Sequence, residues 1–503
     1  MLTFNLLDVS IIVAVLAMVM LIGLRGYGLS KSMTGFFLAN KELGAVTLAF
    51  SLMATYFSAA SFLGGGGATY LFNLGFGAWL TAWHVIGVVL MWVLVAERLF
   101  KYASKANIMS VPDFIEHRYQ SKAAKAVAAA VMMFLFTLYL TSVYKGGAIV
   151  IATVFNTGFE IGLLALTIPV LVYVALGGLR AAALNNLILG SLMLLAAFLT
   201  FGLVMAAVGG PVKGIEELRS MTINGISGEM WLKFDGAGPP PAMKVGAVPQ
   251  LIMGITFSIS MAQIALPSLL MQFYAAKNER AISQGRILGP VLVAAYAMAV
   301  FSLGAFCHLI LDPNLPRGEV AKLMRDTDWV IPKTVDMLAP PGLRGLILAA
   351  PVAASMSTLA VILLVLSAAL TRDVVQLVKP GISERALMLL ARASPIAFAM
   401  ISLLLTLVQT GIIVEIVAAA FGTIFVCFLG PVTVGLYWRG ATRAGAIASM
   451  VSGLAVGLTW HVLLYKATNV HAVIPALLVA LPTFFLVSIF TKKPPREVLE
   501  ILR

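Results

Sequence analysis

Apolar positions in this chain come in blocks rather than in alternation. Stretches of about 20 residues with little or no charge follow one another from residue 6 to residue 490, each long enough to cross a hydrocarbon core of roughly 30 Å as a helix. The blocks predict an all-α integral membrane protein of about thirteen transmembrane helices, beginning with 6–24 and 44–71, including 160–177 and 182–208, and ending with 471–490.

Two of the blocks are interrupted by polar residues and helix breakers. SLMATYFSAASFLGGGG at 51–67 carries Thr55, Ser58 and Ser61 and ends in four glycines; SISMAQIALPS at 258–268 carries Gln263 and Pro267. Proline removes a backbone donor, and non-helical backbone at membrane depth is tolerated only where protein or a water-filled cavity satisfies it. Paired breaks therefore imply a cavity near the midplane. Each interrupted block opens a set of five spans, 44–208 and 249–437, separated by an outer loop at 209–248 that holds GPPP at 238–241. An odd number of spans per set inserts the second set upside down relative to the first, the geometry of inverted-repeat transporters. An extra helix and loop at 1–43, two further helices at 438–490 and a tail at 491–503 complete the expected organisation.

Charge then fixes the orientation. Lys and Arg number 34 against 21 Asp and Glu, for a net charge of +13. With the loops taken alternately, one side collects Arg25, Lys41, Arg98, Lys101, Lys125, Arg180, Arg372 and Arg439 among many others, and by the positive-inside rule that side is cytoplasmic. The N-terminus is then outside and the C-terminus inside the cell membrane. The basic residues are spread over many loops, a topology signal and an attraction for anionic lipid rather than a nucleic-acid footprint. Asp8 ahead of the first apolar run, with no basic residue before it, argues against a cleaved signal peptide. Cys307 and Cys427 fall inside spans as small apolar residues. Neither a catalytic triad, a phosphate-binding glycine loop nor a zinc-ligand spacing is present, so ATP is not the expected fuel and no catalytic set points to an enzyme.

The candidate chemistry is that of a hard cation. In LAAPVAASMSTLAVILL at 348–364, the carbonyl of Ala354 and the hydroxyls of Ser357 and Thr358 share one helix face. If the first interrupted helix unwinds, the carbonyls of Ala54 and Phe57 are freed as well. About five neutral oxygens suffice for an alkali cation. The plainer alternative is packing, since Ser and Thr in membrane helices commonly bond their own i−4 carbonyl.

ATYFSAASFLGGGG, GGLRA at 177–181, AASMSTLAVILL at 353–364 with TRD at 371–373, and GLYWRGATRAGA at 435–446 resemble the signatures of the sodium/solute symporter family, nearest to its pantothenate permease-like members. The resemblance implies a leucine-transporter-like core of ten helices with broken first and sixth core helices. It implies Na+-coupled symport of a small organic solute by alternating access, with the ion held at Ala54, Phe57, Ala354, Ser357 and Thr358. By the family pattern, the solute, expected to be an anionic carboxylate such as pantothenate, sits among Ser58, Ser61, Trp79, Trp83, Gln263, Phe421 and Thr423. Trp79, Trp83 and Phe421 read equally as lipid-facing or interfacial aromatics. A buried amide at a helix break, as at Gln263, needs partners.

Two positions depart from the family. Asn186 stands where many members carry an aspartate near the ion, which removes a negative charge from the inward path and makes proton coupling the alternative reading. Lys145 is a cation within a core helix; it either snorkels outward, pairs with a substrate carboxylate, or substitutes for an ion by its own protonation. His84 reads as a core histidine or a proton relay. A membrane sensor or membrane-embedded enzyme on the same scaffold is the reading from another class. One charge crossing 100 mV supplies about 2.3 kcal/mol, roughly fiftyfold accumulation. A monocarboxylate moving with one sodium is electrically neutral and draws on the sodium gradient alone.

Overall fold

The computed structural model describes residues 5–26, 32–223, 226–232, 248–408, 411 and 413–501; the GPPP run at 238–241 lies outside them. Among the described residues ten helices are long and apolar enough to span a membrane, and the pair Ala45–Tyr56 and Ala60–Leu71, which meet at 61°, passes the same test together. The expected spans 160–177 and 182–208 appear as one 49-residue run, Phe159–Ala207, broken within by Gly178 at φ 59°, ψ −158°. Only glycine adopts that corner without strain, and a Cβ there would lie 2.7 Å from the Phe36 carbonyl oxygen. A shorter apolar helix, Val473–Ile489, stands where the last span is expected.

Helix Leu343–Ala368 is the axle of the molecule. Its apolar residues run all the way round, which suits a helix surrounded by others, and it packs on Phe159–Ala207, Lys122–Phe155 and Leu6–Gly26. Ala349, Ala350, Ala353 and Ala354 are fully buried; small side chains let membrane helices approach closely where no hydrophobic effect drives them together.

The first helix is tied to this axle by a buried charge. The Asp8 carboxylate accepts from the backbone N–H groups of Gly342 (2.7 Å) and Gly345 (2.8 Å) and pairs with the Arg344 guanidinium at 2.6 Å, which also reaches Asp336 at 2.7 Å. Removing one partner of a buried pair leaves the other charge uncompensated, at about 3 to 5 kcal/mol. Asp8→Ala is therefore expected to lower the melting temperature of the purified protein clearly more than Ser10→Ala, whose exposed hydroxyl bonds only within its own helix.

Both expected breaks are present, and hydroxyl groups mend the first. Helix Ala45–Tyr56 ends as Phe57 takes extended angles (φ −83°, ψ 111°), and the chain resumes in a wide turn at Ala60–Gly65 and a helix at Gly66–Leu71. Ser58 Oγ accepts from the Ala60 N–H at 3.1 Å, and Ser61 Oγ donates to the Ser58 carbonyl at 2.7 Å. The glycines are not the break. All four lie beyond it in the resumed helical stretch, where they serve close approach: a Cβ on Gly65 would meet Phe301 at 2.4 Å, and one on Gly67 the Thr327 carbonyl oxygen at 2.1 Å. In the second break, helix Val248–Met261 tightens at Ala262–Ile264, Leu266 is extended, and Pro267 opens helix Pro267–Tyr274, where its missing N–H costs nothing.

Several basic residues expected to face anionic lipid are instead occupied by protein. Lys125 pairs with Asp113 at 2.6 Å and Glu116 at 2.8 Å, and the buried Arg118 donates to the Gly435 and Trp438 carbonyls.

Candidate functional site: a neutral oxygen cluster beside a central cavity

The first break and the axle helix meet at a cluster of oxygens. Ser357 Oγ lies 2.7 Å from the Ala54 carbonyl oxygen and 2.8 Å from that of Ala354, so two carbonyls contest its single proton. Thr358 Oγ1 lies 3.1 Å from the Thr55 carbonyl oxygen and 3.4 Å from that of Ala54. Ala54, Thr55, Ala354, Ser357 and Thr358 are all buried. Oxygens outnumber the protons available to bridge them, and the C-terminal end of helix Ala45–Tyr56 adds the negative pole of its dipole. A small cation suits such a place, with no carboxylate required. Phe57 is the residue at which the helix ends, and its extended ψ turns its carbonyl away from the helical direction. Thr55 was not among the expected ligands; its carbonyl enters because Thr358 reaches one residue past Ala54.

Asn186 stands behind this cluster. Its Nδ2 lies 3.2 Å from Thr55 Oγ1 and 3.3 Å from Ser51 Oγ, and Gln272 Nε2 donates to the same Thr55 hydroxyl at 3.0 Å. The neutral amide thus touches the end of the broken helix one residue from Ala54.

A small cavity, about 30 Å³ in this arrangement of the helices, opens on the other side of the break. Ser58, Ser61 and Phe421 line it, joined by Tyr56, His84, Tyr139, Ile259, Phe301, Val414 and Val417. Aromatic rings pack around it, Phe421 against Tyr139 at 4.4 Å and Phe57 against Tyr296 at 4.4 Å. Ser61 Oγ lies 3.2 Å from Tyr296 Oη. Mostly apolar walls with a few fixed polar groups are the usual make-up of a small-molecule site. No Asp, Glu, Lys or Arg lines this cavity among the described residues.

The remaining expected solute residues lie elsewhere. Trp79 and Trp83 are half-buried, their rings tilted against each other with centroids 5.9 Å apart, and Trp83 meets Phe257 edge to face; the neighbouring Leu80 and His84 are the residues of that helix that reach the cavity. Thr423 donates to the Ala419 carbonyl and packs toward Gly457. Gln263 is buried and its Nε2 donates to the His84 and Ser260 carbonyls at 3.0 Å each, pinning the second break to helix Leu74–Leu90. His84 Nδ1 faces the Leu80 carbonyl at 2.7 Å and therefore carries the proton there. His84→Leu, which removes the one imidazole on the wall, is expected to weaken solute uptake while leaving sodium affinity unchanged; sodium titrations of uptake by the variant check this.

Lys145 does not snorkel. Its ammonium turns inward to Asp328 Oδ2 at 2.9 Å and the Gly411 carbonyl at 3.0 Å. A carboxylate 183 residues away in sequence offers a stronger partner than the headgroup region would.

The model of the Sodium:solute symporter family matches residues 36–453. The chain belongs to that family. A sodium/pantothenate symporter of Escherichia coli strain K12 is 27% identical, covering 95% of this chain and 96% of the relative. A high-affinity proline transporter of Bacillus subtilis strain 168 is 25% identical over 95% of this chain and 97% of its own. Among solved structures, a Na+-coupled sialic acid symporter in a substrate-bound outward-open state superposes with a TM-score of 0.79 at 16% identity, over 98% and 99% of the two chains. A nucleobase-cation-symport-1 family transporter in a closed conformation gives 0.53 at 12% identity, over 93% and 97%. The fold is thus the leucine-transporter-like one expected, and this sodium:solute symporter is a transporter rather than an enzyme.

Proposed function

We propose that this symporter carries a small carboxylate, pantothenate or a related monocarboxylate, into the cell together with sodium by alternating access. The ion occupies the oxygen cluster of Ala54, Phe57, Ala354, Ser357 and Thr358, with Thr55 beside it, and the solute occupies the cavity at Ser58, Ser61 and Phe421. The observation that carries this reading is the convergence of the Ser357 and Thr358 hydroxyls on main-chain carbonyls at the first break, one step along the chain from the cavity wall. An ion bound there stiffens the end of the helix whose next residues line the cavity, so ion and solute favour the same arrangement. The likeness to a sodium/pantothenate symporter supports pantothenate as the first solute to try. Inward movement is the direction in which an inward sodium gradient drives symport, and the loop charges support a cytoplasmic C-terminus.

A ligand that binds the folded state raises its melting temperature by linkage. Purified protein is expected to melt at a higher temperature with pantothenate in sodium, and to show little shift in potassium. Equal shifts in the two salts would remove sodium coupling, and no shift with any carboxylate would remove the solute class.

A further inference from the structure

The ion pair between Lys145 and Asp328 lies close to the cavity without lining it. Lys145 belongs to the core helix Lys122–Phe155, whereas Asp328 sits in the single turn Thr327–Trp329 that joins helices Arg317–Arg325 and Val330–Leu338 outside the spans. The residue after Lys145, Gly146, packs on Ala59 and Ile413, and the next residues in each case, Ala60 and Val414, are cavity wall. Asp328, which holds the ammonium, also meets the backbone of Ile413, the residue before the wall residue Val414, so the ammonium is one layer of residues behind the solute site.

The two partners are not equally well held. Lys145 Nζ meets Asp328 Oδ2 and the Gly411 carbonyl. Asp328 Oδ2 also accepts from the Ile413 N–H at 3.3 Å, but Asp328 Oδ1 is buried with no hydrogen-bond partner. A buried carboxylate with one oxygen unsatisfied is a costly partner, and an ammonium fixed on a core helix needs an anion whenever it is out of water. Any displacement of the Thr327–Trp329 turn leaves Lys145 behind, facing a path into a cavity that holds no charge of its own.

We infer that Lys145 recognises the carboxylate of the incoming solute, and that Asp328 is a tethered carboxylate which occupies Lys145 when the mouth of the pathway is closed. The inference rests on the carboxylate reading above. It makes the solute and Asp328 competitors for one ammonium, so removing the two partners has opposite effects. Acid acts like removal of Asp328: burial lifts its carboxyl to about 6, against the pull of Lys145. The other ionisable groups that act on it are Asp326 and Glu415, the latter itself facing Lys466.

The test is uptake of radiolabelled pantothenate and of its neutral alcohol analogue, pantothenol, into proteoliposomes at saturating sodium. Lys145→Gln is expected to raise KM for pantothenate about tenfold, equivalent to about 1.4 kcal/mol, and to leave pantothenol unchanged. Asp328→Asn is expected to lower KM for pantothenate severalfold, and to lose that gain when combined with Lys145→Gln. If Asp328→Asn fails to fold, lowering the outer pH from about 7.5 to about 5.5, across the Asp328 titration, is expected to lower KM for pantothenate in the unaltered protein and not in Lys145→Gln. Variants that shift both solutes alike, or in the same direction, would reduce the pair to a structural tie and overturn the inference alone. Sodium-driven uptake of neither pantothenate nor other carboxylates by the unaltered protein would overturn the carboxylate reading, and this inference with it.

Discussion

Ser357→Ala is expected to raise the sodium concentration for half-maximal uptake by about tenfold to a hundredfold, with expression and melting temperature in potassium little changed. Loss of a hydrogen-bonding group to a charged partner is worth about 1.5 to 3 kcal/mol, and each 1.4 kcal/mol is a factor of ten. Ser357 Oγ is the most central oxygen of the cluster, within 2.8 Å of carbonyls from both helices that build it. Thr358→Ala should act in the same direction and Thr358→Ser should restore most of the loss, because the hydroxyl is kept. Ser355→Ala is the control: its hydroxyl turns the other way, to the Val143 carbonyl at 3.1 Å. Equal sodium dependence in Ser357→Ala and Ser355→Ala would dissolve the site.

The second large effect concerns a glycine. Gly67→Ala is expected to cut uptake more than tenfold and to lower the melting temperature, because its new Cβ would sit 2.1 Å from the Thr327 carbonyl oxygen and 2.9 Å from the carbonyl carbon. Backbone cannot yield as a side chain does, and overpacking of this kind costs about 1 to 3 kcal/mol. At the adjacent Gly66 the nearest atoms are the Ile331 side chain at 3.1 and 3.4 Å, which can rotate aside, so Gly66→Ala should stay within about threefold of the unaltered protein. The contrast separates close packing from helix flexibility. If the glycines acted by keeping the helix loose, the two alanine variants would behave alike.

The sequence carried the parts of this molecule that depend on local chemistry. A hydroxyl-rich interruption and a proline mark where helices come apart, and an Ala-x-x-Ser-Thr spacing marks one oxygen-bearing face; both could be read residue by residue, and the family signatures tied them together. The four glycines misled, because their composition suits an unwound segment and a crowded one equally, and only the neighbours, Thr327 and Phe301, decide between them. Most of the cavity wall was out of reach for the same reason. Tyr139, Ile259, Phe301 and Val414 come from four different helices, and nothing in their own surroundings distinguishes them from other apolar residues in a chain that is 61% hydrophobic. On helix Leu74–Leu90, one step of helical rotation separates the expected Trp79 and Trp83 from Leu80 and His84, which reach the cavity. Lys145 drew notice as a charge in an apolar run, but its partner lies in a loop turn that no periodicity connects to it.

Sodium coupling itself is tested most directly by uptake of labelled pantothenate into proteoliposomes under imposed gradients of sodium, potassium or protons of equal size. Accumulation against its concentration gradient under the sodium gradient alone, abolished when sodium is equal on both sides, is the expected result. Accumulation driven equally by the potassium gradient, or by a pH gradient in sodium-free medium, would contradict it.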